Sequence, residues 1–598
     1  VEAASLLRSI PIVILVVLLL AASGPSPIRI EYPAPGTTFP PEIAAPTFLW
    51  RDSAKTAVFW RVNISFPDGA PALHSIANGE RLRVGPIDRD CIAPTNQPPT
   101  VPDFRAWVPD AFTWAAIKKH RGATVTFMGF AGSQTNAPPV SRGSVDIRTS
   151  RDPVGAPIFY RDVPLMPTQT KTGVIQPLAD EAVRLIAWRI RNIAEPRSRV
   201  LLEGMPVCAN CHSFSADGST LGMDLDGLQK NRGLYTLTPV ARQTLIRKEN
   251  VIQWSTAEGR LKGALRVGFM SQVSPHGDRV ITTIDSPDPA SKSPSNYYVA
   301  NFQDYRFLQV FYPTRGILAW YSRATGILQP LPGADDPRYV QTNAVWSPDG
   351  QYLIFARALK RDPNPIGVPL AAFANDPHEL QIQYDLYRIP FNDGKGGTPE
   401  PVGGASANGF SNTFPRVSPD GRWIVFVRCR NGLLMRPDSE LYIVPAGGGT
   451  ARRLDANTAR MNSWHSFSPN GRWLVFSSKA RSPYTQMYLT HIDEAGNSTP
   501  PVLIENSTAA NRAVNIPEFV NNDMRELGGP ALDYYKLFDR AMYFQRQKRY
   551  AESAAWWKKV LEIAPDDAQA HRNLALVLLM DGKRQEAGEH LRQGSAAQ

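Results

Sequence analysis

Phe414-Pro-Arg-Val-Ser-Pro-Asp-Gly-Arg-Trp-Ile-Val-Phe-Val427 decides the fold. Within it, Ser418-Pro-Asp-Gly421 is a turn: Pro sets φ, the Asp side chain can bond nearby backbone, and Gly takes a positive φ. Apolar residues lie on both sides in the short runs expected of buried strands. The string recurs as F-S-A-D-G at 214–218, V-S-P-H-G at 273–277, W-S-P-D-G at 346–350 and F-S-P-N-G at 467–471. The later copies lead into RVITTI, YLIFAR, WIVFVR and WLVFSS, and several are followed by a further strand such as LYRIPF or LYIVPA. A turn with strands on both sides, repeated at domain-internal spacing, is the pattern of propeller blades. NIPEFV (515–520) stands where a sixth inner strand would begin, so six blades are expected over 205–529.

Outward from the repeat, the period changes. TAVFWRVNISF and GATVTFMGF alternate as strands, and 28–150 reads as a small β-sandwich of the immunoglobulin or fibronectin type. Residues 151–204 read as connecting strands and a helix; Val183, Ile186, Ile190 and Ile193 recur at helical steps within 177–194. From 530 to 598 the apolar spacing is helical, with turns about 34 residues apart, as in tetratricopeptide units. The expected class is therefore mainly β: a six-bladed propeller, an N-terminal sandwich and a C-terminal helical, tetratricopeptide-like domain.

Arg8 precedes an apolar run from Ile10 to Ala22, so 1–27 is expected to be a membrane anchor or signal segment. Either function exports the remainder to the periplasm or its equivalent, with the anchored form holding the chain at the inner membrane. The composition is that of an ordinary soluble protein, 43% hydrophobic and 20% charged. The net charge of +11 comes without a nucleic-acid motif or basic arm, which argues against nucleic-acid partners. Only four cysteines are present, too few for a disulfide scaffold.

Two of the four form Cys208-Ala-Asn-Cys211-His212, the C-x-x-C-H pattern of covalent haem attachment. Thiols three positions apart reach the two porphyrin vinyl groups, and the adjacent imidazole reaches the iron. A thioredoxin-like pair would need a βαβ context, and zinc would need a second pair of ligands. One haem c is thus expected, with His212 as proximal ligand. Aligned on the turn serines, Met270 and His465 fall near the start of inner strands like His212 and are the candidate distal ligands; Met205 and Met223 are nearer in sequence. Cys91 and Cys429 are left as buried thiols or a long-range disulfide.

The stretches CANCHSFSADG (208–218), WSPDGQYLIFARA (346–358), FPRVSPDGRWIVFV (414–427) and NSWHSFSPNGRWLVFSSK (462–479) resemble bacterial envelope proteins that join a cytochrome c haem motif, a TolB-like propeller and tetratricopeptide-like helices. The resemblance spans about 150–595. It implies an exported mono-haem electron-transfer or accessory subunit with protein partners in a membrane-associated redox complex. The alternatives are a propeller scaffold with structural haem and a haem enzyme with an open distal site. Placing the motif in the first blade departs from ordinary TolB-type chains.

Overall fold

The computed structural model describes residues 25–596, apart from 95, 133–136, 166–184, 204–210, 226–232, 242–245, 247, 255–267, 286–294, 305, 308, 364–368, 370 and 523–533. The N-terminal apolar segment therefore lies outside the described residues. Among those described, no helix is long and apolar enough to cross a membrane.

Six four-stranded antiparallel sheets form the propeller. Blades 1 to 5 follow the chain from His212, Phe269, Tyr339, Ser411 and Asn462, each starting with its inner strand. The sixth blade draws on both parts of the chain: Ala513–Phe519 is innermost, and Ile158–Val163, Ala187–Arg191 and Arg199–Glu203 lie outside it. Phe159 pairs with Glu518 and Asp162 with Val514, so the ring is closed by backbone bonds between distant segments.

This corrects the helical reading of 177–194. Its described part contains the strand Ala187–Arg191, and 166–184 lies outside the described residues. Ile186, Ala187, Trp188 and Ile190 are all buried. A strand covered on both faces loses period-two alternation, so its isoleucines can fall at helical spacing by chance.

Each blade turn is fastened by its serine. Ser347 Oγ donates to Asp349 (2.6 Å) and accepts from Tyr352 N (3.0 Å). Ser468 does the same with Asn470 (2.6 Å) and Trp473 N (3.0 Å). In blade 2 the usual Asp is His276, which is exposed, and Asp278 takes over as acceptor for Ser274 Oγ at 2.7 Å. Ser418 accepts from Trp423 N at 2.9 Å and donates to Asp420. Ser418→Ala removes both bonds and strands the Trp423 amide, an expected loss of about 1–3 kcal/mol. A fall in the propeller's unfolding midpoint measures it; an unchanged midpoint would show that the turn holds without its serine.

The N-terminal domain is one nine-stranded sheet that curls in a barrel-like manner. Ser26–Tyr32 joins its halves, antiparallel to Phe48–Asp52 and parallel to Ser141–Thr149. Trp50 packs on Phe127 (4.6 Å between ring centroids) and Trp60 (5.6 Å) in its core. A helix absent from the sequence reading, α1 (Ala111–Lys119), is capped by Asp110, whose carboxylate accepts from Thr113 N at 2.7 Å.

Among the described residues, four helices follow the propeller: α2 (Tyr534–Arg546), α3 (Tyr550–Ile563), α4 (Ala568–Met580) and α5 (Arg584–Ala596). Trp557, Phe538, Leu574 and Leu578 form their core. Asp567 caps α4, accepting from Gln569 N and Ala570 N at 2.9 Å each. Tyr534 N donates to the Ile246 carbonyl of blade 1 at 3.2 Å.

Candidate functional site at the head of blade 1

The inner strands share a distortion. Four residues before each turn serine, Met270, Asn343, Phe414 and Trp464 have φ of 52°, 54°, 49° and 51°. The pairing register shifts at each of them. Ile516 (φ 51°) marks the same bulge in the closing strand. Because the bulge recurs round the ring, positive φ at Met270 is a property of the fold and is not by itself a mark of function.

Counting back from Ser215, the corresponding position in blade 1 is Cys211. Cys211 and Met270 thus occupy like positions in neighbouring blades, and their sulfurs meet: Cys211 Sγ donates to Met270 Sδ at 3.2 Å. Both are buried. Cys208 and Met205 lie outside the described residues. Met223 is opposite His212 in the blade 1 register and is fully buried.

His212 opens the inner strand His212–Phe214 and is 1% exposed. Its ring stands edge-on to Phe159 at 4.8 Å between centroids. Neither ring nitrogen makes a hydrogen bond of ordinary geometry, and the acceptor acting on the ring is the Ile516 backbone. Nε2 lies 3.9 Å from Glu518 Oε2. Burial pushes the imidazole down to about 3, with Arg416 and Arg161 adding to the effect and the Ile516 carbonyl opposing it. The ring is therefore neutral at ordinary pH, the form that ligates metals.

His465 fills the position equivalent to His212 in blade 5. Its Nε2 is bonded to the Val425 carbonyl at 2.9 Å, and burial pushes it down to about 3 as well. Of the two candidate distal ligands, Met270 is the one beside the motif. Thioether formation at Cys211 would remove the S–H that Met270 accepts and free the methionine sulfur.

Sequence reading missed the groups that line the channel next to His212. Arg416 of blade 4 crosses to Gln272 of blade 2 (Nη1 to Oε1, 2.8 Å) and donates from Nε to the His465 carbonyl at 3.3 Å. Gln272 and Arg416 each stand two residues before a turn serine, a register visible in the repeat. Glu518 lies in NIPEFV, the expected sixth inner strand, but with no turn serine after it the repeat register could not set it beside His212.

The face where inner strands begin also receives the insertions between second and third strands. In blade 2 this is a hairpin, Tyr297–Asn301 with Gln309–Pro313. Tyr297 packs on Phe269 at 5.7 Å between centroids, next to Met270. The tip reaches blade 5, on the opposite side of the ring: Arg306 donates to the carbonyls of Ser482 (2.7 Å) and Lys479, and Lys479 Nζ donates to Arg306 O. The hairpin thus spans the end of the channel above the Cys211–Met270 pair.

Burial pushes the Lys479 ammonium down to about 7, with Arg306 adding to the effect and Asp304 opposing it. The folded value lies below that of free lysine, about 10.4, so the unfolded chain binds more protons between the two. Stability is expected to rise with pH across that window, and Lys479→Met to flatten the rise. An equal slope in wild type and variant would assign the rise to other groups.

Cys91 and Cys429 are separate buried thiols, each pushed up to about 12 by burial. The disulfide alternative is thereby corrected: Cys91 meets Asp88 and Arg512, while Cys429 faces the carbonyls of Ser411 and Asn431. Among the described residues, no group of three or more His, Cys, Asp or Glu side chains is arranged to hold a bare metal ion.

Fold and site together define a six-bladed propeller with a C-x-x-C-H segment leading into its first inner strand. No protein-family model matches the chain. An uncharacterized protein of Agrobacterium fabrum is 26% identical over 168 residues, 25% of this chain and 54% of its own length, so the chain spans about half of that relative. Among solved structures, TolB from Acinetobacter baumannii is 13% identical with a TM-score of 0.36, covering 67% of this chain and 80% of TolB. A TolB candidate from Agrobacterium tumefaciens is 14% identical with a TM-score of 0.33, covering 61% and 98%.

Proposed function

We propose that this chain is an exported mono-haem c-type cytochrome, acting as an electron-transfer or accessory subunit of a membrane-associated complex. The observation that carries the reading is a buried, neutral imidazole at His212, following Cys211 in a C-x-x-C-H segment. These residues fit haem c: Cys208 and Cys211 would tether it and His212 would ligate its iron. When bound, that group supplies one-electron chemistry at iron, with a potential set by its axial ligands and their surroundings. Met270 is the proposed sixth ligand. The hairpin over the channel would keep bulk water from the site, and the Phe159 ring fixes the plane of the imidazole.

The apolar run from Ile10 to Ala22 supports export and an inner-membrane anchor. The C-terminal helices are proposed to be tetratricopeptide-like and to dock a protein partner. No nucleic-acid role is proposed.

The reading is tested by maturing the full chain in an export-competent host and comparing wild type with Met270→Ala. The wild type is expected to carry covalent haem whose reduced spectrum ignores carbon monoxide. The variant is expected to keep the haem and bind carbon monoxide. A variant that keeps a closed site would remove Met270 as the ligand, and a wild type without haem would remove the function.

A further inference from the structure

Blade 3 carries a cavity of about 650 Å³, two blades on from the haem motif, whose lining includes Tyr339, Arg357, Arg361, Gln383, Asp385 and Tyr387. That volume is in the range of small-molecule sites. Blade 4 shows what sets it apart. Arg357 and Arg428 each stand ten residues after a turn serine, and each lies against two rings at matching positions. For Arg357 these are Tyr339 (3.6 Å to the centroid) and Tyr387 (5.1 Å); for Arg428 they are Phe410 (5.5 Å) and Tyr442 (3.9 Å). Arg428 also donates to Gly404 O at 2.9 Å and to Asn412 Oδ1 at 3.4 Å. In blade 3 the place of Asn412 is taken by Gln341, whose amide donates to the Asp336 carbonyl instead (3.1 Å). The Asp336 carboxylate is itself engaged by Arg338 at 2.6 Å. Arg357 Nε is left buried without a hydrogen-bond partner. A buried donor of this kind calls for an acceptor, and here it borders an open cavity.

We propose that this cavity binds a small hydroxylated monocarboxylate, of the sugar-acid kind, with Arg357 as the anchor of its carboxylate. A guanidinium fork matches a carboxylate in shape, and the ring contacts hold it ready. Charge sets the number of carboxylates. Arg357 and Arg361 stand against Asp385 in the lining, which leaves one positive charge for one carboxylate to neutralise. The remaining groups suit hydroxyls. Gln383 spends its amide hydrogens on the carbonyls of Gly409 (2.8 Å) and Arg430 (2.9 Å), so its Oε1 is left to accept. Asp385 Oδ1 accepts from Ala407 N at 2.8 Å, which leaves Oδ2 for a ligand. Tyr339 adds a hydroxyl where blade 4 has Phe410. The proposal does not depend on the haem reading.

The test is isothermal titration calorimetry on the full chain matured in an export-competent host, with D-glucuronate, D-glucose and inorganic phosphate as probes. Glucuronate is expected to bind at one site, about tenfold or more tighter than either of the others. Arg357→Met is expected to weaken glucuronate about tenfold or more. Arg388→Met removes a cation of the same blade that lies over Tyr352, outside the cavity, and is expected to leave binding unchanged. Glucuronate no tighter than glucose, or unaffected by Arg357→Met, overturns the proposal. Phosphate equal to glucuronate overturns the ligand class, and an equal loss in Arg388→Met overturns the site. If Arg357→Met does not fold, Arg361→Gln decides: a loss of about threefold or more supports the site, and unchanged binding overturns it.

Discussion

Cys208→Ala/Cys211→Ala is expected to yield a folded chain with no covalently attached haem. The two thioethers are the only covalent anchors the motif provides, so removing both leaves His212 alone to hold the group. The fold should survive. Cys211 is a small part of a large apolar cluster that runs through Phe269, Val345, Phe426 and Phe476, and its thiol makes only weak polar contacts, to Met270 and Asp224. Haem staining after denaturing electrophoresis, with far-ultraviolet circular dichroism as the folding check, reads the result. Covalent haem persisting in the double variant would place the attachment elsewhere.

Arg436→Ala is expected to be the most destabilising single substitution proposed here, at about 3–5 kcal/mol. The Arg436 and Glu379 side chains are both 0% exposed and join the insertions of blades 4 and 3. Arg436 Nη2 donates to Glu379 Oε2 at 2.8 Å and to Asn375 Oδ1 at 2.7 Å. Truncating the arginine leaves a buried carboxylate without its counter-charge. Arg436→Met/Glu379→Leu should recover most of the loss, because it removes both charges and keeps apolar volume. Because the chain has several domains, the shift is read on the propeller's own transition. A loss below about 1 kcal/mol for Arg436→Ala would mean that water reaches the pair.

Both predictions depend on parts of the molecule that were unequally readable beforehand. The blades announced themselves because a tight turn needs particular residues at fixed offsets, and Ser347, Ser418 and Ser468 tie the same bonds in each. Even the exception obeys the physics: with His276 in the Asp position, Asp278 supplies the acceptor two residues later. The closing blade announced only its inner strand, at NIPEFV (515–520). Its outer strands precede the haem motif by sequence, and Ala187–Arg191 is buried on both faces, which erased the alternation. The four C-terminal helices were readable from apolar spacing alone, since each packs one face on a shared core.

Of the proposed site, the C-x-x-C-H segment was the part legible directly in the sequence. Cys211 and His212 stand in a pattern with its own chemistry, whereas the bulge position that brings Cys211 to Met270 is filled in other blades by Asn343, Phe414 and Trp464, residues with nothing chemical in common. The turn-serine register did bring Met270 into consideration, and it also suggested His465, whose ring nitrogen is bonded to the Val425 carbonyl. Glu518 was out of reach, because its place beside His212 depends on ring closure between strands more than 300 residues apart.

The most direct measurement is an absorption spectrum of the wild-type protein matured in an export-competent host, oxidised and dithionite-reduced, with and without carbon monoxide. The account predicts covalent haem with a sharp reduced α-band that carbon monoxide does not alter, the mark of iron closed by His212 and Met270. A high-spin spectrum that shifts with carbon monoxide would contradict the closed site and favour an enzyme with an open position. No covalent haem band in the fully matured protein would contradict the central claim itself.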